Sequence, residues 1–485
     1  MINLIKNEFS KIFKKKTIYI LLFITLAYII LSNIVIKATN DNNYYYYYDD
    51  DVKYYEWQLA ELDPEDASDL SMYIDTKVNL ETSKLIKEYG SDSWQAYIIS
   101  SVLPTHIYTM VSHEYTDEIT EEAYKEAKGA YDIAIEKFKS GDWKYFVNMD
   151  LDDINTSLEE QYKLKEKTED TQTLNSINQT IADLELKKQV NEWRLEKDIS
   201  YAPSFLNNAL DNYLSCKSNL ISYEGRDLSR LSADELQDYN NSIEQASLNK
   251  YYIDNMITLN YGDNRDILLS LFNQYELFIL IIGIVIAGSI VSDEFNKGTI
   301  KLLLVKPYNR VKILMSKFIV CICILVLAIA FIAVSQLIFG GIIQGFDSLS
   351  IPAIFYNFDT NRVETMNIFA YIFLTGLCKL PIYILLTTLA FACSTIFANT
   401  ALAVALPFLG YIATPFINQL SLAYNIKQII YFVTPNWDLT QYLFGGTPMF
   451  SGMTVPFSII VCLVYLVIML VVSCAVFKKR DIKNI

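Results

Sequence analysis

Two histidines, His106 and His113, are the only ones in the 485-residue chain, and Glu114 follows the second. Seven residues apart, they can share one face of a helix. A zinc centre needs three or four ligands, however, and no further one with suitable spacing lies nearby. They are expected to be ordinary surface histidines. No glycine-rich stretch ends in Gly-Lys-Ser or Gly-Lys-Thr, the loop that cradles nucleotide phosphates. Energy from nucleotide hydrolysis would have to come from another polypeptide, so no catalytic residue, metal or cofactor is assigned to this chain. The many carboxylates read as a solvated face rather than a catalytic pair.

Lys379 is a different matter. It stands 11 and 12 residues from the ends of the apolar run Ile368–Phe391, roughly 16 Å at the helical rise, farther than a lysine stem can reach. Pro381 follows, freeing a backbone carbonyl and allowing a bend. The sequence has no acid at clear mid-run depth, and Glu276 is near the mouth of another run. A lysine in that position points to a watery cavity, a subunit interface or an anionic substrate group; the alternative is a local structural pairing.

The elements that must position such residues are apolar runs. The chain is 52% hydrophobic, and the apolar residues cluster as Thr17–Ile36, Tyr275–Ser292, Phe318–Phe339, Ile368–Phe391, Ala401–Ile417 and Val455–Phe477. About 20 residues of helix cross a bilayer, and a helix satisfies its own backbone there. The first run exceeds a signal peptide's apolar region and lacks a clear cleavage site, so it is expected to be retained. Lys6, Lys11, Lys14, Lys15 and Lys16 precede it; six basic residues fill 292–317; Lys478, Lys479, Arg480 and Lys483 follow the last run. Alternating spans put all three basic places on one side, which the positive-inside rule makes the cytoplasm. Residues 38–273 then lie outside with a net charge of −25, while the whole chain carries −15. Only Cys216 falls in that outer part, so it can hold no internal disulfide.

Three domains follow: 1–37 with an amphipathic helix and the first span, 38–273 outside, and 274–485 with spans two to six. In the opening helix Ile2, Ile5, Phe9, Ile12 and Phe13 form a stripe that Leu4 breaks. It would lie on the inner membrane surface, or serve only as a positive flank. The tyrosine run "DNNYYYYYDDD" reads as low complexity or an interfacial aromatic belt. Residues 154–167 and 174–195 predict two antiparallel helices, the second with Leu174, Ile177, Ile181 and Leu184 on one face. Segment 419–453 holds an apolar stretch too short to span, then Pro435, Trp437 and Gly445–Gly446. It is expected to be re-entrant or interfacial.

Between the second and third runs, "EFNKGTIKLLLVKPYNRVKILMSKF" has glycine placed to end one helix, Thr299 to cap the next, Pro307 to stop it and Asn309 to cap the third span. This stretch resembles the loop between the second and third spans of type-two ABC exporter permeases. Glu294, Gly298, Thr299, Pro307, Arg310 and Lys317 occupy that family's acid, Gly-Thr, proline, arginine and lysine places. The C-terminal "FKKRDI" also looks like the family's end. The resemblance covers about half the chain. The runs and basic flanks together read as an all-α membrane protein of six transmembrane helices in the plasma membrane, with both termini cytoplasmic and a large, mainly helical extracellular domain between the first and second spans. That domain departs from the smallest members of the family. The resemblance implies pairing with an identical or related permease, and contact is expected with membrane lipids but not nucleic acid. Cytoplasmic ABC ATPase subunits would bind ATP and Mg. Coupling to them would fall to Glu294, Lys297, Gly298, Thr299, Leu302, Leu303, Pro307 and Arg310, with a helix over 299–305 as the contact. The expected activity is export of an amphipathic or hydrophobic substrate, such as an antimicrobial peptide or a lipid-like compound. The alternative is a membrane-anchored sensing protein whose outer domain binds a ligand without transport.

Overall fold

The computed structural model describes residues 1–42, 48–300 and 308–480. Most of the tyrosine run, and Leu302, Leu303 and Pro307 with most of the expected 299–305 helix, lie outside the described residues. The chain divides into two units, Met1–Ala38 with Asn260–Ile485, and Thr39–Leu259.

Among the described residues, six helices are long and apolar enough to cross a membrane: Lys16–Thr39, Glu276–Asn296, Arg310–Gln344, Ile368–Phe397, Thr400–Ala423 and Val455–Lys479. We number them as spans one to six. Each apolar run lies within one of them, apart from Tyr275, but the helices continue into polar flanks. The third begins at Arg310 because the Asn309 side chain accepts the Val311 N–H at 3.0 Å, satisfying one of the free donors at a helix start. The core is formed by spans two and four with the third against them, through Ile279, Leu280, Ile324, Tyr383 and Phe391. Span four runs unbroken through Pro381.

The N-terminal helix, Ile2–Phe13, buries Leu4, Glu8 and Ile12. The stripe read from the sequence is therefore rotated. Leu4, which broke it, packs on Ile313, whereas Ile2 and Phe13 are exposed. The helix packs on span three, and spacing of four along it puts Leu4, Glu8 and Ile12 on the buried side.

Two expectations need correction. The sequence boundary at 273 is 14 residues too late, because Asn260 onward packs with the spans. Arg265 donates to the carbonyls of Ile351 and Pro352 at 3.1 and 2.7 Å, which anchors this segment. The unit is also not purely helical. Ala353–Asn357 and Arg362–Met366 pair as an antiparallel hairpin between spans three and four, turning at Asn361 with φ 52°. Its Phe355 ring stacks 3.7 Å from Phe444.

At the end of span three opposite Arg310, the helix widens into a π turn over Gln336–Gly340. The buried Gln336 amide meets the Asn33 amide at 2.9 Å and the Tyr275 hydroxyl at 2.6 Å, and lies 3.1 Å from the Asn264 amide. The polar groups thus satisfy one another where burial would otherwise be costly.

The second unit is helical. Lys144–Lys167 and Thr171–Glu196 form the expected antiparallel pair, closed by Leu158, Ile177 and Ile181. Asp170 accepts the Thr173 N–H at 2.8 Å and starts the second helix. A larger core gathers around Ile99, Leu103 and Val147, and another around Val190, Leu210 and Ile253. His106 and His113 share the helix Leu103–Tyr115. The His113 ring stacks on Tyr124, and its Nε2 lies 3.5 Å from Glu121.

Candidate functional site

Span two ends where the loop begins. Lys297 closes its last turn, and Gly298 adopts φ +69°, a left-handed conformation that glycine accepts without the Cβ penalty. That turn carries the chain back over the helix end and brings Thr299 beside Glu294, to whose carboxylate its hydroxyl donates. Thr299 stands just before buried Ile300, and the helix it is expected to cap lies mostly outside the described residues.

Glu294 is one corner of a closed ring of charge. Lys11 of the N-terminal helix donates to it at 2.7 Å and Lys317 of span three at 3.2 Å. The same two lysines reach Glu8, at 3.4 and 2.7 Å. Two carboxylates and two ammoniums therefore alternate around one quadrilateral, so each charge has two opposite neighbours. The Lys317 side chain is 1% exposed and Glu294's is 11%. Buried charges of this kind persist only when fully paired. Burial opposes the charge on Lys11, but Glu294 and Glu8 outweigh it and hold its pKa above the ordinary lysine value. Next to the ring, Lys15 donates to Asp293 at 2.7 Å.

The remaining loop residues divide in function. Lys297 and Gly298 are exposed. Arg310 donates to the carbonyls of Lys478 and Arg480 at 3.2 and 3.1 Å, which ties the start of span three to the end of span six. Arg480 donates in turn to the carbonyl of Thr395 at 2.9 Å, capping span four, and lies over the Phe295 ring at 4.6 Å.

Lys379 belongs to a separate cluster toward the opposite end of span two. It donates to Glu276 at 3.0 Å and pairs with Asp438 at 2.8 Å. Tyr411 donates to the other Glu276 oxygen at 3.1 Å. Asp438 opens the short turn Leu439–Gly445, accepting the Thr440 N–H at 3.0 Å. One lysine thus joins spans two and four to the 419–453 segment. In that segment buried Asn436 is held by Ser458 of span six at 2.7 Å. A cavity of about 210 Å³ adjoins Lys379, with Phe272, Tyr371 and Phe444 in its wall.

The sequence brought forward Glu294, Thr299, Arg310 and Lys379 but missed Glu8, Asp438 and Arg480. Glu8 carried a signal: it is the only acid in the first 16 residues, one turn from both Leu4 and Ile12. Asp438 had none, since nothing local relates it to Lys379. Arg480 was hidden because the positive-inside reading already accounted for it.

Residues 242–483 match a family model described as "Protein of unknown function (DUF2705)". An "Uncharacterized protein YhcI" of Bacillus subtilis (strain 168) is 31% identical over 245 residues, 50% of this chain and 76% of the relative. From the same organism, an "Uncharacterized membrane protein YdbK" is 30% identical over 215 residues, 44% of this chain and 82% of the relative. No solved structure matches significantly.

Proposed function

The chain belongs to the family these proteins represent, and we propose that it is the membrane-spanning permease subunit of an ATP-driven ABC exporter. In this reading it is a multi-pass protein of the cell membrane with both termini in the cytoplasm. The Thr39–Leu259 unit lies outside the cell. ATP and Mg are bound by separate cytoplasmic ATPase subunits, and an identical or related permease completes the path. The transported substrate is amphipathic or hydrophobic.

The observation that supports this most directly is the charge ring at Glu294. A loop that receives a push must be fastened to the helices it is to move. Glu294 fastens the loop to the N-terminal helix through Lys11 and to span three through Lys317, and Arg310 extends the tie to span six. A carboxylate so enclosed acts as a positioning residue; the surface offered to an ATPase would be the exposed Gly298 and Thr299. Span two also carries a carboxylate near each end, Glu276 and Glu294. Eighteen residues of helix separate them, about 27 Å at 1.5 Å per residue. Tilting such a rod at its Glu294 end would load the Lys379 pairs at the other. ATP need only bind one arrangement better than the other to shift the balance.

The test is purification of the full chain from its native membranes in mild detergent, followed by assay of the associated ATP hydrolysis. An ATP-hydrolysing subunit is expected to accompany it, and Glu294→Gln is expected to lower substrate-stimulated hydrolysis by about tenfold while the subunits still assemble, the loss of one charge-assisted tie. Purification without an ATP-hydrolysing partner would overturn the proposal and favour the ligand-sensing alternative.

A further inference from the structure

Beside the charge ring is a cavity of about 520 Å³ whose walls include five lysines, Lys11, Lys14, Lys15, Lys297 and Lys317, and three acids, Glu8, Asp293 and Glu294. The acids are already committed. Glu8 and Glu294 are held by Lys11 and Lys317, and Asp293 by Lys15. Among the described residues Lys14 and Lys297 have no ion pair, and both are exposed at this cavity. The walls therefore carry a surplus of two positive charges on two unengaged ammoniums.

The cavity is also partly apolar. Ile12 and Ile290 line it, and a small hollow beside it is bounded by Ile12, Ile18 and Ile286, with Lys15 common to both. Ile12, Ile18, Ile286 and Ile290 are all buried, so this wall is closed, and hydrocarbon would lie outside it along the helices that read as membrane spans. Span one leaves Ile20, Phe23 and Ile24 exposed on its surface. A soluble anion would use the lysines but gain nothing from that exposed apolar surface. A molecule with a phosphate at one end and hydrocarbon at the other would use both.

We propose that this cavity binds the phosphate of an anionic phospholipid, with Lys14 and Lys297 as its direct ligands and its acyl chains beside the exposed side of span one. The charge ring provides the rigid wall behind them. This site does not depend on transport or on any ATPase.

The test uses the full chain purified in detergent, exposed to mixed phosphatidylglycerol and phosphatidylcholine, with retained lipids counted by native mass spectrometry. The wild-type chain is expected to keep one phosphatidylglycerol in preference to phosphatidylcholine. The Lys14→Gln/Lys297→Gln double variant breaks no ion pair and is expected to fold. Its preference should fall roughly thirtyfold, from about 1 kcal/mol for each lysine lost. A Lys6→Gln/Lys16→Gln control removes the same charge outside the cavity and should keep the preference. Equal loss in both double variants would reduce the effect to general surface charge and overturn the site. Displacement of the lipid by millimolar inorganic phosphate would overturn the lipid and assign the cavity to a free anion. An unchanged preference in the Lys14→Gln/Lys297→Gln variant would overturn the ligands.

Discussion

Lys317 is the residue on which the ring is most exposed to damage. With the lysine removed, Glu8 and Glu294 face each other with only Lys11 between them, and both remain buried. Lys317→Met is expected to cost about 3 kcal/mol, as the loss of one buried partner does, and to lower the thermal midpoint in detergent. Adding Glu8→Gln should recover part of that loss, since the two sites share one interaction. Lys11 makes a different prediction. Its pKa is raised above the ordinary value of 10.5, so the folded state holds its proton more tightly than the unfolded chain. Its contribution is complete below 10.5 and declines as pH rises through the folded value. Hydrogen exchange of Ile2–Phe13 should therefore be insensitive to this group at neutral pH, after correction for intrinsic rates, and rise only at strongly alkaline pH. These partnerships were only half legible in the sequence. Glu294 and Lys317 stood out through their loop positions, but Glu8 and Lys317 are 309 residues apart, and only the folded bundle relates them.

At the level of elements, spacing carried most of the information. The apolar runs located all six membrane-length helices, since 3.6-residue packing in an apolar solvent demands long uninterrupted stretches. The helix pair of the second unit followed from Ile177 and Ile181 at one turn's distance. The hairpin at 353–366 did not emerge. Five-residue strands give little periodic signal, and Phe355 and Tyr356 are both buried, so the alternation of a strand is lost. The turn at Gly298 was readable because glycine there has a conformational reason. A Cβ at that position meets nothing within 4 Å, so Gly298→Ala tests backbone strain without a clash. It is expected to cost about 1 kcal/mol; Gly298→Asn should cost less, because asparagine visits the left-handed region more readily. Thermal melts of the two variants against wild type measure the difference.

For the whole molecule, the sequence located the acidic insertion but misplaced its end, because residues 260–273 look as polar as the unit before them. What anchors them is distant: Arg265 at Ile351 and Pro352, and Asn264 beside Gln336. These contacts predict that residues 39–259 can be replaced by a short glycine-serine linker. The shortened protein should remain monodisperse in detergent with its helices intact by circular dichroism, and aggregation would show that the bundle needs the larger unit to fold.

Gln336 is the reason such an excision is geometrically feasible. By touching Asn33 and Asn264 together, one glutamine sets the departing and returning strands of the polypeptide side by side. The loop-closure entropy for anything threaded between them is then settled locally, whatever its size. A bundle built this way can acquire, exchange or shed its appended module over evolutionary time while its own architecture stays the same.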